Sequence, residues 1–336
     1  MSAPFATAPP DIAAAPAPGA AGAPAAGATG VRPVLRARVI AAHGRQLRVR
    51  LAAGEETMAR SPGRDCQVVC GDLVRCEFDA RHAELRVVAL EPRTGVLFRS
   101  NARGVGEPIA ANLSLLLVVV APAPKPDFYI VDRYLAAAQC AGIRAGVLLN
   151  KAELDTEPAI ERELLDYGRL GLEPLRVSAL TAPGVTGLQA RLRGETAVLV
   201  GQSGVGKSSL LRALVPESAA AVGALLRDDE GRHTTTATHL YALPGGGAVI
   251  DSPGVRDFAP AMDRLSAPAL GFTEIAALSA GCRFGNCLHL REPDCAVRNG
   301  VGGAVSARRY ESYRRLRRLS DRLRTPRGPG VPSYRR

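Results

Sequence analysis

No run of about 18 apolar residues free of charge and proline occurs in this 336-residue chain, which excludes a membrane-spanning helix of ordinary length. Lysine is almost missing: Lys125, Lys151 and Lys207 are the only three among 43 basic residues. A bias in coding toward Arg, Ala, Gly and Pro explains that scarcity, so the positions where lysine persists carry information. Residues 1–32 are dominated by Ala, Pro and Gly, with Arg32 their only basic residue, and suit neither a signal peptide nor an Arg-rich transit peptide. They read as a disordered leader. Seven cysteines, an odd number in a long chain without a secretory signal, argue against a disulfide framework and for a reducing compartment, the cytoplasm by default. At this length two or three domains are expected.

What the chain does contain is centred on Val198–Ser209, VLVGQSGVGKSS. Gly201, Gly206, Lys207 and Ser208 fill the pattern GxxxxGK[ST], within the loop Gly201, Gln202, Ser203, Gly204, Val205, Gly206, Lys207, Ser208 and Ser209. Glycines let successive backbone N–H groups curl around a phosphate, the lysine reaches β and γ oxygens, and the Ser208 hydroxyl ligates Mg²⁺. The flanks fit, with an apolar strand over Ala197–Val200 and a helix beginning at Ser208 whose N-terminal dipole favours an anion. A nucleoside triphosphate is the expected ligand.

Residues 34–92 alternate apolar and polar in short strands, Val34–Ile40, Leu47–Leu51, Leu73–Phe78 and Leu85–Leu90, with turns at His43-Gly44 and Gly71-Asp72. This predicts a small all-β barrel. Arginines alternate with its apolar positions, as in RVIAAHGRQLRVRL. An oligonucleotide-binding surface and a merely solvated strand face are both open from that pattern. Cys66, Cys70, Cys76 and Cys140 fit no common zinc spacing and read as small buried hydrophobes.

From Thr94 the pattern becomes α/β: strand Leu113–Val120, helix Asp132–Cys140, strand Ala145–Leu149, helix Ile160–Tyr167 and strand Leu175–Val177. Such sheets bind ligands at the carboxyl ends of their strands. There stand Asn150-Lys151-Ala152-Glu153 and Ser178-Ala179-Leu180, which resemble the guanine-reading NKxD and SA elements of GTPases. Two of the three lysines therefore sit in nucleotide patterns, where a compact ammonium does what a planar guanidinium does poorly. After the phosphate loop come GRHTTT (231–236) and a strand ending in Asp251-Ser252-Pro253-Gly254. Asp251 is suited to hold Mg²⁺ through its hydration shell, and the Gly254 N–H to meet a γ-phosphate. Base-reading elements thus precede the phosphate loop, the reverse of the usual order. A circular permutation achieves this without repacking the sheet, because domain termini lie close together.

Cys282, Cys287, His289 and Cys295 follow, three thiols and an imidazole suited to one tetrahedral structural Zn²⁺. Beyond them Tyr310, Tyr313, Leu316, Leu319 and Leu323 form a helical stripe, surrounded by Arg308, Arg309, Arg314, Arg315, Arg317, Arg318 and Arg322. Residues 306–336 hold eleven Arg against Glu311 and Asp321, so most of the formal net charge of +11 lies there. Such a helix faces nucleic acid, a membrane surface or simply water.

The barrel, the permuted order, SNARGVGEPIAANL, GRHTTT, DSPGVRDF and the Cys-Cys-His-Cys knuckle together resemble the ribosome small-subunit-dependent GTPase (RsgA) family over roughly residues 34–325. The resemblance implies a leader at 1–32, an OB-fold barrel at 33–95, and a central α/β circularly permuted P-loop GTPase domain at 96–258. A C-terminal α-helical zinc domain at 259–325 and a basic tail at 326–336 complete the expected layout. It implies a cytoplasmic, monomeric GTP hydrolase, binding GTP/GDP with Mg²⁺, that acts late in assembly of the small (30S) ribosomal subunit and contacts its rRNA. An rRNA-binding module with nucleotide as a passive ligand is the alternative, and an ATPase and a peripheral-membrane protein are weaker ones. Two departures stand out: Glu153 occupies the place of the base-reading Asp, and Val255 follows Gly254 where Ras-like enzymes have a water-orienting Gln. The resemblance points to His233 for the water and to Thr235, with Ser208, for Mg²⁺.

Overall fold

The structure, a computed structural model, describes residues 34–63, 66–101, 104–215, 238–251, 260–265 and 269–324. The expected leader and tail, and the segments 216–237 and 252–259, lie outside that set. Five strands close the N-terminal barrel: β1 (Leu35–His43), β2 (Gln46–Leu51), β3 (Glu56–Arg60), β4 (Leu73–Asp79) and β5 (Glu84–Leu90). They run β1-β2-β3-β5-β4, and β4 returns to pair with β1. Val39, Leu47, Val49, Val74, Cys76 and Val87 fill the interior. The alternation in the sequence yields four of these strands; β3 escapes it because only Ala59 of its five residues is buried. Cys70 and Cys76 are buried as expected, whereas Cys66 and Cys140 are only partly so. Burial pushes the Cys70 thiol up to about 12, which makes it chemically inert at neutral pH.

A hairpin, β6 (Leu97–Ser100) and β7 (Gly106–Ala110), leads into the central sheet. That sheet contains β8 (Leu115–Val120), β9 (Arg144–Leu149), β10 (Leu175–Arg176), β11 (Thr196–Val200), β12 (Thr238–Ala242) and β13 (Ala248–Asp251). Its order is β10-β9-β8-β11-β13-β12, parallel throughout except for β12. All six residues of β8 are buried, as a strand covered on both faces requires. Leu116, Val118 and Val120 pack against α1 (Phe128–Cys140) and α2 (Pro158–Arg169). Leu115, Leu117 and Val119 face α3 (Ala182–Leu192) and α4 (Lys207–Leu214). The phosphate-loop strand β11 is therefore interior, and the chain enters the sheet on the base-reading side, which is the permuted order expected.

β1 joins the barrel and the central strands into one continuous eleven-stranded sheet. Its first half, Leu35–Arg38, closes the barrel on β4, while Ala41 and Ala42 pair with His239 and Thr238 of β12. A register shift between Val39 and Ala41 separates the two halves, and a bulge of this kind bends and twists a strand toward a new partner.

C-terminal to the sheet come a 3-10 turn (Met262–Arg264), α5 (Thr273–Ser279), α6 (Ala296–Asn299) and α7 (Ala307–Arg324). Phe272, Ile275, Val297, Tyr313 and Leu316 form their core, joined by Ala136 of α1. Here one expectation is corrected. Arg308 and Arg309 do not lie around the outside of α7 but turn inward, onto the fully buried Asp132 of α1. Tyr167 donates its hydroxyl to the same carboxylate at 2.6 Å, Arg308 also reaches Glu163, and Arg309 also reaches Glu274. Burial alone opposes the charge on both guanidiniums, and the surrounding acids outweigh it. Arg315, Arg318 and Arg322 remain exposed. Among the described residues no helix is long and apolar enough to cross a membrane.

A second buried acid holds the end of the barrel against the segment that leaves it. Asp72 is fully buried and accepts from Arg93 through both oxygens at 2.7 Å each and from the Val69 N–H at 2.8 Å. Removing the arginine strands a buried carboxylate. Arg93→Ala is expected to lower unfolding stability by about 3 kcal/mol in urea titrations. A loss below about 1 kcal/mol would contradict the burial argument.

Candidate functional site

β11 ends at Val200 and α4 begins at Lys207, so the six residues between them form the phosphate loop at a carboxyl-terminal sheet edge. Two of its glycines are obligatory. Gly201 has φ +137°, and a Cβ there would lie 2.2 Å from the Val119 carbonyl oxygen; Gly206 has φ +93°, and its Cβ would lie 2.3 Å from Asn150 Nδ2. Lys207 is buried, and its Nζ donates to the carbonyls of Gly201 and Gln202 at 2.6 Å each. The loop is thereby curled over its own lysine, with the N-terminal N–H groups of α4, including those of Ser208 and Ser209, at its base.

Asn150 follows β9 directly, is 1% exposed, and donates from Nδ2 to the Val205 carbonyl at 2.9 Å. Its Oδ1 is buried without a hydrogen-bond partner. Lys151 takes a left-handed φ of +58° and donates to the Ala123 carbonyl at 2.7 Å. The Ser178 hydroxyl oxygen accepts the Leu180 N–H at 3.2 Å and lies near the Glu153 carboxylate. That hydroxyl, together with the residue's own N–H, holds the Glu153 carboxyl below its ordinary range. Ala179 packs partly buried against the apolar cluster of α3 and α4. Asp251 ends β13; Ile250 registers with Val198, so the carboxylate stands beside the strand that leads into the loop. The elements expected to read a base and those expected to hold phosphates thus meet, through Asn150, at Val205 and Gly206. Ser203 and Gly204 lie within this loop. His233, Thr235 and Gly254 lie outside the described residues.

One contact here was not legible in the sequence. The Gln202 side-chain oxygen accepts the Asp127 N–H at 2.8 Å, tying the phosphate loop to the start of α1. No spacing rule joins residues that far apart in the chain.

In the C-terminal unit, Cys282, Cys287, His289 and Cys295 bring one ligand atom each to within 4.8 Å of one another, a set that could hold a metal ion. His289 Nδ1 lies 3.5 Å from both Cys282 Sγ and Cys295 Sγ, and those sulfurs are 3.9 Å apart. The supports around the knuckle escaped sequence reading. Glu292 accepts the N–H groups of Leu288, Leu290 and Arg291 at 2.9, 2.8 and 2.9 Å. Burial pushes its carboxyl up, and these N–H groups more than reverse that, bringing it to about 2. From α7, the Tyr310 hydroxyl donates to the His289 carbonyl at 2.7 Å and the Tyr313 hydroxyl to that of Leu288 at 2.9 Å.

With this geometry in hand, the chain can be set beside known proteins. The RsgA GTPase family model matches residues 90–260. The small ribosomal subunit biogenesis GTPase RsgA of Pseudomonas syringae pv. syringae is 45% identical over 235 residues, 68% of this chain and 68% of that protein. Its counterpart in Azotobacter vinelandii is 44% identical over the same share. Among solved structures, YjeQ from Thermotoga maritima superposes with a TM-score of 0.66 at 25% identity, covering 86% of this chain and 99% of its own. YloQ, a circularly permuted GTPase, gives 0.66 at 24% identity over 88% and 98%, a likeness of fold. On the permuted sheet, the phosphate loop and these matches together, the chain belongs to the RsgA GTPase family.

Proposed function

We propose that this protein hydrolyses GTP to GDP and phosphate during assembly of the small ribosomal subunit, with the subunit stimulating the reaction. The observation that carries the nucleotide part is the contact of Asn150 with Val205 and Gly206, which joins a base-side amide to the phosphate loop. The small-subunit part rests on the relatives' names. In this reading Gly201 to Ser209 wrap the phosphates, and Lys207 exchanges its loop carbonyls for β and γ oxygens. Asn150, Lys151, Glu153, Ser178 and Ala179 line the guanine, and the unpaired Asn150 Oδ1 leaves hydrogen-bonding capacity for a base. Ser208 and Thr235 would hold Mg²⁺, with Asp251 acting through a water, and the ion would supply positive charge to the phosphates. The Gly254 N–H meets the γ-phosphate. The protein works as a cytoplasmic monomer whose partners are the subunit and its rRNA.

The knuckle suits zinc. Ligand bonds of about 2.3 Å to sulfur and 2.0–2.1 Å to nitrogen at tetrahedral angles put neighbouring ligand atoms about 3.5–3.8 Å apart. The separations of 3.5, 3.5 and 3.9 Å among Cys282, His289 and Cys295 agree with that spacing, and Cys287 brings its thiol to within 4.8 Å of all three. With all four positions filled by protein the ion is structural. The purified protein is expected to carry one zinc per chain, and Cys287→Ala to lose it, by elemental analysis. Metal-free folded protein would contradict this.

Glu153 places the base-reading carboxylate on a stem one methylene longer than Asp. The nearby Ser178 hydroxyl favours the charged carboxylate, which supports retained guanine specificity; the longer stem is expected to weaken affinity by about 1–2 kcal/mol, the scale of one imperfect charged hydrogen bond. Glu153→Asp is expected to tighten GTP severalfold in a nucleotide titration with turnover unchanged; weaker binding would mean the site has adapted to the longer acid.

Catalysis needs a group to orient water, and Val255 has none to offer. His233 takes that part in this reading, brought to the water when the subunit is bound. In multiple-turnover phosphate release, small subunits should stimulate the wild type strongly. His233→Ala should lose most of that stimulation while its GTP affinity stays nearly intact. Equal stimulation of both would assign the task to the ribosome, and no stimulation of the wild type would overturn the proposed function.

A further inference from the structure

The first turn of α1 is held from two sides. On one side the Asp127 N–H is donated to Gln202 of the phosphate loop, while the Asp127 carboxylate caps the helix by accepting the Tyr129 N–H at 2.9 Å. On the other side α7 grips the same turn. Arg308 lies over the Phe128 ring at 5.3 Å and pairs with Asp132, Arg315 lies over the Tyr129 ring at 5.4 Å, and Arg309 shares Asp132 from beneath. Tyr167 completes the ring of donors on that carboxylate. The polar path from α7 to the phosphate loop therefore runs through the start of α1, from the ion pairs at Asp132 and the guanidinium contacts on Phe128 and Tyr129 to the Asp127 N–H. α7 is itself bound to the metal-knuckle backbone through Tyr310 and Tyr313.

We propose that Arg308 and Arg309 are positioning residues for the phosphate loop, acting through the first turn of α1 and Gln202. Neither touches the nucleotide. By fixing where Asp127 presents its N–H, they fix where Gln202, and hence the entry to the loop, comes to rest. A load applied to the C-terminal unit by a bound partner then reaches the phosphates along this route. The inference rests on the nucleotide-binding reading of residues 201–209.

The test uses the full chain and a fluorescent derivative of GDP. Arg308→Ala is expected to speed GDP release about 3- to 10-fold, within the roughly 2- to 30-fold span of residues that couple to a site without contacting it. Arg318→Ala, exposed on the same helix, should leave release unchanged. Arg308→Lys keeps a charge toward Asp132 but loses the fork, and should fall between; it also carries the test if the alanine variant does not fold. Combined with Gln202→Ala, Arg308→Ala should add less than its separate factor, because both cut one connection. A folded Arg308 variant with a lowered melting temperature but wild-type GDP release would overturn the proposal and leave the arginines as fold-stabilising only. Factors that multiply in the double variant would overturn it as well. Wild-type protein that binds no guanine nucleotide would instead defeat the nucleotide reading itself.

Discussion

The candidate nucleotide site depends on one close approach, that of Gly206 to the Asn150 amide. No side chain fits there: a Cβ would sit 2.3 Å from Nδ2, and the backbone φ of +93° is one that L-residues with side chains rarely adopt. That contact sets the spacing between the end of β9 and the loop after β11, two strands separated in the sheet by β8 alone. It also explains why permuting the chain costs the site nothing. The two halves are joined by a contact through space rather than by sequence order, so the connections can be rerouted as long as β9, β8 and β11 stay neighbours.

Among the described residues, a buried and partnered acid stands at two further junctions of the chain. Asp72 with Arg93 secures the passage from barrel to sheet. Asp132 with Arg308, Arg309 and Tyr167 secures α7 on α1. Such pairs add little or no net stability over apolar packing, because desolvation offsets their attraction, but a mispaired alternative strands a charge and is strongly disfavoured. They therefore define how neighbouring units dock more than how firmly. The β1–β12 ladder does the corresponding work with backbone groups, since β1, bent at its bulge, carries the sheet from the barrel on to β12.

Much of this was legible in the residue order. The glycine-rich loop, the Asn150 and Ser178 positions after their strands, the strand ending at Asp251 and the four knuckle ligands all follow from local pattern, because each is written in a few consecutive residues. What was not legible depends on partners far away in the chain. α7 reads as a basic amphipathic helix, and nothing within it says that Arg308 and Arg309 find an acid 176 and 177 residues upstream. β3 lacks alternation because its face is mostly exposed, and β12 is short and meets the barrel edge-on. Glu292 looks like a surface acid until the knuckle folds its own N–H groups onto it.

The central claim is that the site built at Asn150, Gly206 and Glu153 selects guanine. Competition against a bound fluorescent GDP derivative tests it most directly. GTP should displace the probe at concentrations comparable with its own, and ATP should fail to do so at hundredfold excess, because a site that hydrogen-bonds specific base edges rejects a base lacking them by large factors. Displacement by ATP and GTP at equal concentrations would contradict the account.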